Sequence, residues 1–416
     1  MREIFASTLA LFALCLLLVV TPAAADANSF AQAYKDTLTV YGNANLDDII
    51  DEDDIEYVQG IIDGTEDETQ FADANYDGQI DEDDIAQIEL IISGEEDYLV
   101  ILDMANRTVT VPMPVERIVP AVGYGTTRTL IQLDAEDKIV GCNYPTGWDP
   151  ILYAAPELED FPDIGSDGAM SSFNVEMVVS LEPDVIFIST TSNADEIQER
   201  SEVPTIAVNS GGDLWTVDEL RIIGAITGRD DKARDLIAYT KEKIEEIAKI
   251  TSEIPDEDKP LVHICGCGGS SEGVARVCRC CVSQSYTEFA GGLNVGEKST
   301  SNYQVSKEQI IKWNPDVILI HFGSAEAIEE VVSDPVLQNV NAVRNGEVYS
   351  TRLGWGPGGA LGQALVNVYY LAKLFHPNEF EDLDIEEEGN EIMEHLYGVD
   401  GIYTDFAEEY NFYRWD

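Results

Sequence analysis

One amphipathic segment, flanked by two similar stretches, constrains the fold more than any other feature. Residues 231–252 place apolar side chains at steps of three and four, which predicts a long helix with a single apolar face. The stretch before this helix, FNVEMVVSLEPDVIFI (173–188), aligns without gaps with VSKEQIIKWNPDVILI (305–320) after it. The apolar face consists of Ala233, Leu236, Ile237, Ile244, Ile247 and Ala248.

Each of the two similar stretches predicts a short helix, a turn and a buried strand. Asn174 and Ser306 are suited to capping the helices, and Pro183 and Pro315 mark the turns. Strands and helices alternate over most of the chain, which favours parallel sheets with helices on both faces. The expected fold class is therefore α/β, with two Rossmann-like lobes joined by helix 231–252.

Length and charge limit the possible functions. The 416 residues are enough for two or three domains, and the net charge is -55. So large a negative charge disfavours nucleic acid and anionic membranes as partners and favours cations.

The N-terminus predicts export. Residues 1–25 comprise a charged start, an apolar run and an Ala-Ala-Ala ending suited to cleavage before Asp26. Leu14 precedes Cys15 where a lipoprotein signal requires a small residue, so a plain secretory signal is favoured over a lipid anchor. An extracellular, cell-surface or periplasmic location is expected.

Residues 26–97 form a separate acidic unit containing a repeat. The unit has 23 acidic residues and one Lys, and NANLDDIIDEDD (43–54) recurs 30 residues later as DANYDGQIDEDD (73–84). Oxygen side chains stand at positions 1, 3, 5, 9 and 12 of both loops, a spacing typical of calcium ligands. The predicted ligands are Asn43, Asn45, Asp47, Asp51 and Asp54 in the first loop, and Asp73, Asn75, Asp77, Gln79 through its carbonyl, Asp81 and Asp84 in the second.

The second loop is expected to bind calcium more tightly, because Gly78 stands where the loop must turn and Asp48 takes that place in the first loop. The pair resembles a dockerin, a small all-α module of duplicated half EF-hands. The resemblance implies calcium as a cofactor and a cohesin-like partner on another surface protein. A calcium-stabilised spacer without a partner is the alternative.

The body of the chain resembles a known family. VERIVPAVGYGTTRTLIQLDAEDKIVG, SLEPDVIFI, AGGLNV and DPVLQNVNAVRNGEVY are similar to segments of the helix-linked (class III) substrate-binding proteins of ABC importers for iron complexes and corrinoids. This resemblance implies a non-enzymatic protein that delivers a small-molecule metal chelate to a membrane permease. The acidic residues by which the family docks on the permease align near Arg128 and Ser285, which leaves the docking mode of this chain open.

Domain boundaries follow from these patterns. The expected units are a signal peptide (1–25), the calcium module (26–97), the N-terminal lobe (98–230), the linking helix (231–252), the C-terminal lobe (253–400) and a tail (401–416).

The cargo is expected in the cleft between the lobes, because ligands gather at the carboxyl ends of parallel strands. Aromatic side chains there would give rigid contact area, and arginine would pair with carboxylate edges. The predicted ligand-binding residues are Tyr124, Tyr144, Trp148, Thr190, Thr191, Trp215, His321, Arg352 and Trp355.

Five cysteines cluster in one loop, which the family resemblance does not explain. Disulfides are the default in an exported chain, thiolate coordination of a soft metal is a second interpretation, and inert thiols are a third. The loop also supports an alternative function as a metal-handling or redox protein, while the acidic unit supports a calcium-assembled surface scaffold component. The cluster consists of Cys265, Cys267, Cys278, Cys280 and Cys281.

Overall fold

The computed structural model describes residues 37–121, 125–142, 151–165, 173–190, 192–208, 217–266, 274–281, 285–296, 303–321, 325–351 and 361–410. The predictions for Tyr124, Tyr144, Trp148, Thr191, Trp215, Cys267, Arg352 and Trp355, and for the signal peptide, lie outside these ranges. None of the described helices has an apolar stretch long enough to cross a membrane.

The described elements alternate between strands and helices after a helical N-terminal unit. The helices are α1 Glu52–Ile62, α2 Glu82–Ser93, α3 Gly125–Gln132, α4 Ile151–Ala154, α5 Val175–Ser180, α6 Ala194–Ser201, α7 Val217–Thr227, α8 Asp230–Thr251, α9 Val274–Val277, α10 Ser285–Phe289, α11 Lys307–Trp313, α12 Ala325–Ser333, α13 Asn341–Asn345, α14 Leu361–Phe375, α15 Ile385–Tyr397 and α16 Ile402–Tyr410. The strands are β1 Tyr98–Leu102, β2 Thr108–Pro112, β3 Ile118–Pro120, β4 Val185–Ser189, β5 Thr205–Val208, β6 Leu261–Cys265, β7 Arg279–Cys280, β8 Leu293–Asn294, β9 Tyr303–Gln304, β10 Val317–His321 and β11 Val348–Thr351.

The N-terminal unit consists of two loop-helix repeats around a small apolar core. Asp51 and Asp81 cap α1 and α2, and each takes part in a capping box with the aspartate three residues later. Val58 and Ile88 face each other in the core with three alanines. The repeat predicted from the sequence is therefore also a structural repeat.

A hairpin joins this unit to the first lobe without a linker. β1 and β2 pair antiparallel from Tyr98–Pro112 to Leu102–Thr108. On its other side β1 accepts a hydrogen bond at Val100 O from Tyr41 N (2.9 Å), and Leu102 N donates to Thr39 O (2.9 Å). The hairpin thus belongs to both units.

An ion pair adds a second link between the two units. Asp48, which replaces the loop glycine, lies 2.9 Å from Arg221 Nε on α7. Arg221 also contacts Asp218 (2.6 Å), and its side chain is only 3% exposed. The departure from the calcium-loop pattern at Asp48 therefore coincides with a contact to the lobe.

The two lobes contain parallel sheets, as predicted. The first has strand order β3-β4-β5, with Ile118 opposite Val185 and Ile186 opposite Thr205. The second has order β11-β10-β6-β7-β9, with β8 also on β6; β10, β6 and β11 are parallel. β7 is antiparallel to its neighbours, which the sequence did not indicate.

The similar stretches adopt the same local structure. Asn174 Oδ1 accepts from Met177 N at the start of α5 (3.0 Å), and Ser306 Oγ accepts from Gln309 N at the start of α11 (3.2 Å). Each helix leads into a fully buried strand, β4 or β10. The predicted helix-strand units are confirmed.

The linking helix α8 has the predicted apolar face and nearly the predicted bounds. Ala233, Leu236, Ile237, Ile244 and Ile247 are all buried. The helix packs on α7 of the first lobe and on α10 and α14 of the second. It therefore joins the two lobes along one side.

The C-terminal region differs from the predicted tail. Residues 402–410 form α16, in which Ile402 and Tyr403 are buried at 1% and 3% exposure against α15. α15 in turn contacts the first lobe, where Gln132 Nε2 donates to Tyr397 OH (3.2 Å). A short amphipathic segment at the chain end was not distinguishable from a tail, because only its tertiary contacts stabilise it.

Candidate functional site

The candidate site is formed by the carboxyl ends of the parallel strands. β4 and β5 end at Ser189 and Val208 in the first lobe, and β6 and β10 end at Cys265 and His321 in the second. The structure describes two of the nine predicted ligand-binding residues, Thr190 and His321. Both lie at these edges, and their contact with a ligand stays a prediction.

Thr190 is half-buried, and its backbone amide donates to Val208 O (3.1 Å) directly after β4. His321 is the last residue of β10 and is only 3% exposed. Burial to this degree is typical of a histidine packed in a core, whereas the sequence predicted a contact with the ligand.

The second lobe places a cation beside His321. Arg276 Nη1 donates to His321 O (2.8 Å), and the Arg276 side chain is half-buried. Gly266 lets the backbone pass close by: its φ is +91°, and a Cβ there would lie 3.1 Å from His321 O. The sequence analysis did not select Arg276, since only the fold brings this part of the cysteine-rich loop to the end of β10.

A buried carboxyl lies between α3 and α7 of the first lobe. Glu219 is 1% exposed and accepts hydrogen bonds from Thr126 Oγ1 (3.0 Å) and Thr129 Oγ1 (3.4 Å). Burial raises the pKa of Glu219 to about 7, and the threonine hydroxyls oppose that rise. Glu219 begins to ionise only near neutral pH in the folded protein.

Glu219→Gln is expected to make the protein about 2 kcal/mol more stable than the native chain at pH 8, with little difference at pH 5. The folded-state pKa of Glu219 lies above the unfolded value, so native stability falls as pH rises from about 4.5 through 7. Urea midpoints of both proteins at pH 5 and 8 measure this. An equal difference at both pH values would contradict a titrating Glu219.

Arg128 provides no charge for docking on a permease at the position the family alignment indicates. It lies on α3 and is only 3% exposed. The side chain of Ser285, the second aligned position, lies outside the described residues.

The described cysteines do not form a metal site. Cys281 is disulfide-bonded, while Cys142, Cys265, Cys278 and Cys280 are free. Burial raises the pKa values of all four free thiols, which keeps them protonated at neutral pH. Within the described ranges, no three His, Cys, Asp or Glu side chains are gathered around a point that could hold a metal ion.

The two acidic loops have matching hydrogen bonds. At position 12, Asp54 accepts from Asn45 N (3.1 Å) and Asp51 N (2.9 Å), and Asp84 accepts from Asn75 N (3.1 Å) and Asp81 N (2.8 Å). At position 5, Asp47 Oδ1 and Asp77 Oδ1 accept from the amides two residues later. In each loop, backbone amides of that loop therefore hold the carboxylate oxygens in place.

Asp54 and Asp84 are predicted calcium ligands, although in neither loop are three His, Cys, Asp or Glu side chains gathered around a metal position in the described ranges. Both are fully buried, and desolvation raises the pKa of Asp54 to about 6 and raises that of Asp84. A divalent cation would offset the cost of burying these charges. The donors are all oxygens, as calcium requires.

The loops differ at position 1. In the first, Asn43 Nδ2 donates to Leu38 O (2.8 Å) and Asp47 O (2.6 Å), so the amide nitrogen is directed at the loop's own carbonyl. In the second, Asp73 Oδ1 accepts from Asp77 N and Oδ2 from Gly78 N (both 3.0 Å). Gly78 has φ +91°, the conformation its position requires. The second loop offers the more anionic set.

Two lobes with parallel sheets, joined by helix α8, are the architecture of a two-lobed binding protein. The chain belongs to the periplasmic binding protein family, whose model matches residues 119–352. Membership of the periplasmic binding proteins, the coarser part of the resemblance identified from the sequence, is therefore confirmed for residues 119–352. The N-terminal unit lies outside the matched residues.

Named relatives are binding proteins. The molybdate-binding protein MolA of Haemophilus influenzae is 27% identical over 326 residues, 72% of this chain and 90% of its own length. An Fe(3+)-citrate-binding protein of Bacillus subtilis is 27% identical, covering 45% of this chain and 59% of its own. A cobalamin-binding protein of Halobacterium salinarum is 28% identical, covering 60% and 65%.

The solved structure of MolA with molybdate has the same fold. It matches with a TM-score of 0.58 at 22% identity, covering 72% of this chain and 98% of MolA. At this identity the match establishes the α/β periplasmic binding protein fold.

Proposed function

We propose that this is an exported substrate-binding protein that captures an iron chelate, a haem-like ring or a corrinoid and passes it to the permease of an ABC importer. The observation that carries the proposal is the family match, which spans both lobes and the linking helix. Relatives named for ferric citrate and cobalamin support this cargo class. Molybdate, named for MolA, is a simpler anionic cargo to test beside them.

Arg276 supports an anionic cargo. The protein has 24 Lys and Arg residues against 79 Asp and Glu, so a cation held at a strand end stands out. The hydrogen bond from Nη1 to His321 O holds the positive charge at the end of β10, and a guanidinium is the side chain best suited to carboxylate or oxyanion edges. The carboxylates of a ferric chelate or the oxygens of molybdate would present such edges.

The test is binding to ferric citrate, haem, cobalamin and molybdate, measured by native mass spectrometry and calorimetry on the purified protein. We expect one of them to bind with micromolar or tighter affinity. Arg276→Met should weaken that binding about tenfold, a loss of ~1.4 kcal/mol. Arg344→Met is the matched control, because Arg344 is exposed on α13.

Binding of none of the four compounds would count against the proposal. Equal affinities of the Arg276 and Arg344 variants for a bound compound would remove Arg276 from the site while leaving the function intact. Melting temperatures of both variants separate loss of affinity from loss of fold.

For the N-terminal unit, we infer a calcium-binding role centred on the second loop. Buried Asp84, anionic Asp73 and the turn at Gly78 support it. The contacts of Asp48 with Arg221 and of Tyr41 with β1 favour a calcium-stabilised cap on the first lobe over a detachable module.

The dockerin-like pairing with a cohesin-like surface protein is a second proposal for the same unit. It would make the protein a calcium-assembled component of a surface scaffold. Calcium-dependent binding of a purified cohesin domain, abolished by a chelator, would support this pairing. No binding at any calcium concentration would contradict it and leave the calcium-stabilised cap as the proposal for this unit.

A further inference from the structure

Two free cysteines stand directly opposite each other on neighbouring antiparallel strands. Cys265, the last residue of β6, is the register partner of Cys280 on β7. The hydrogen bonds on either side run from Gly266 N to Arg279 O (2.8 Å) and from Cys281 N to Ile264 O (3.0 Å). This pattern makes the two cysteines a non-hydrogen-bonded pair, in which Cα atoms lie about 4.5 Å apart and side chains project from the same face.

That separation suits a disulfide, for which Cα atoms lie about 4.4 to 6.8 Å apart. Both thiols are free: Cys265 Sγ donates to Leu319 O and Cys280 Sγ to Cys281 O, each at 3.5 Å, and Tyr303 also hydrogen-bonds the Cys280 side chain. The mutual influence of the two thiols also contributes to the raised pKa of Cys265.

The pairing is anchored at a further point. His263, two residues before Cys265, is fully buried, and its Nε2 lies 2.8 Å from Val277 O. Burial lowers the pKa of His263 to about 4, so the ring is neutral and can donate this bond. Strand β6 and residues 277–281 are thus held in one register.

We propose that Cys265 and Cys280 are a modification site that forms a reversible disulfide after export. The oxidant is a low-molecular-weight disulfide. Its S–S bond breaks, a bond forms between Cys265 Sγ and Cys280 Sγ, and both thiol protons leave on the two thiol molecules produced. The two cysteines lose two electrons and the oxidant gains them.

Burial of both thiols makes the reaction slow but does not prevent it. β7 consists of only two residues, 279 and 280, and β9 beside it also has two. So short an inner pairing opens locally at a small cost in free energy, which exposes the thiols for exchange.

The bond would close the segment that carries Arg276. Arg276 lies between the two cysteines in sequence and donates to His321 O at the end of β10. A link across the base of this segment would fix that contact and so stiffen the second lobe's side of the cleft.

The test is oxidation of the folded, full-length protein with oxidised glutathione, followed by acid quenching, digestion without reductant and mass spectrometry. Because Cys281, next to Cys280, is already disulfide-bonded, the reference is the digest of the untreated protein. We expect the peptide material that carries Cys265 and Cys280 to lose two further hydrogen atoms on oxidation, and both thiols to become resistant to alkylation. Reduction with dithiothreitol should restore both thiols to alkylation.

Two variants and two controls sharpen this test. Cys265→Ser and Cys280→Ser should each abolish the new cross-link, with unchanged circular dichroism as the check of folding. Cys142→Ser and Cys278→Ser should leave it intact, since Cys142 is a buried thiol in the first lobe and Cys278 lies off the register. Full alkylation of Cys265 and Cys280 after oxidation, or pairing of Cys265 with Cys278, would overturn the proposal.

Discussion

On the proposed calcium-binding role of the second loop, replacing Asp84 with Asn is expected to remove most of the stabilisation gained on adding calcium. Asp84 is the buried carboxylate at position 12 of the more anionic loop, and Asn keeps its size while removing its charge. With free calcium at about 100 times its dissociation constant, the native chain should gain about 2.7 kcal/mol, and the variant a small fraction of that. Thermal unfolding with calcium and with a chelator measures both gains.

The matched control is Asp54→Asn at the same position of the first loop. It should keep most of the calcium response, because Asn43 directs its amide nitrogen into that loop and Asp48 is engaged with Arg221. In chelator each variant should lose some stability, because Asp84 accepts from Asn75 N and Asp81 N on separate oxygens and Asn offers only one. The comparison is therefore between the gains that each protein shows on adding calcium. Equal losses of the calcium response in both variants would contradict the ranking of the two loops. A native chain whose thermal unfolding does not change on adding calcium would contradict the proposed calcium site.

Replacing Lys243 with Met is expected to lower the free energy of unfolding by about 3 kcal/mol at pH 8. Lys243 Nζ on the linking helix lies 2.5 Å from Glu388 Oε1 and 2.9 Å from Glu391 Oε1 on α15. The side chains of Lys243 and Glu388 are only 11% and 17% exposed. Removing the ammonium would leave a largely buried carboxylate without its cation, and urea unfolding measures the cost.

The loss should shrink as pH falls, because burial raises the pKa of Glu388 above its usual range and the carboxyl becomes protonated on acidification. Lys241→Met is the control: Lys241 is exposed on the same helix, and its loss should cost less than about 0.5 kcal/mol. The double variant with Glu388→Gln should recover part of the stability. A Lys243 variant as stable as the Lys241 variant would show that the ion pair contributes nothing net.

The features that could be predicted from the sequence are those set by nearby residues. The helix expected at 231–252 is found as Asp230–Thr251, and Asn174 and Ser306 cap their helices, because apolar spacing and capping chemistry act within a few residues. The gapless alignment of two stretches was enough to predict both lobes.

The features that could not be predicted depend on contacts between distant residues. From the sequence, Asp48 only departs from the calcium-loop pattern. Its contact with Arg221, which lies 173 residues further along the chain, is visible only in the structure. Arg276 becomes part of the candidate site only because β7 turns back antiparallel on β6 and brings it to His321. Cysteine spacing left the pairing open, whereas strand register singles out Cys265 and Cys280.

The shared hairpin has a consequence for how the molecule would be presented on a cell. The hairpin of β1 and β2 follows the acidic unit directly, and Tyr41 and Thr39 are hydrogen-bonded to β1 itself. A partner bound to the acidic unit would therefore also fix the orientation of the first lobe. It would set the direction in which the cleft opens. Anchoring and cargo transfer would then share one geometry, and the distance to the permease would be fixed by the partner's position instead of by a flexible tether.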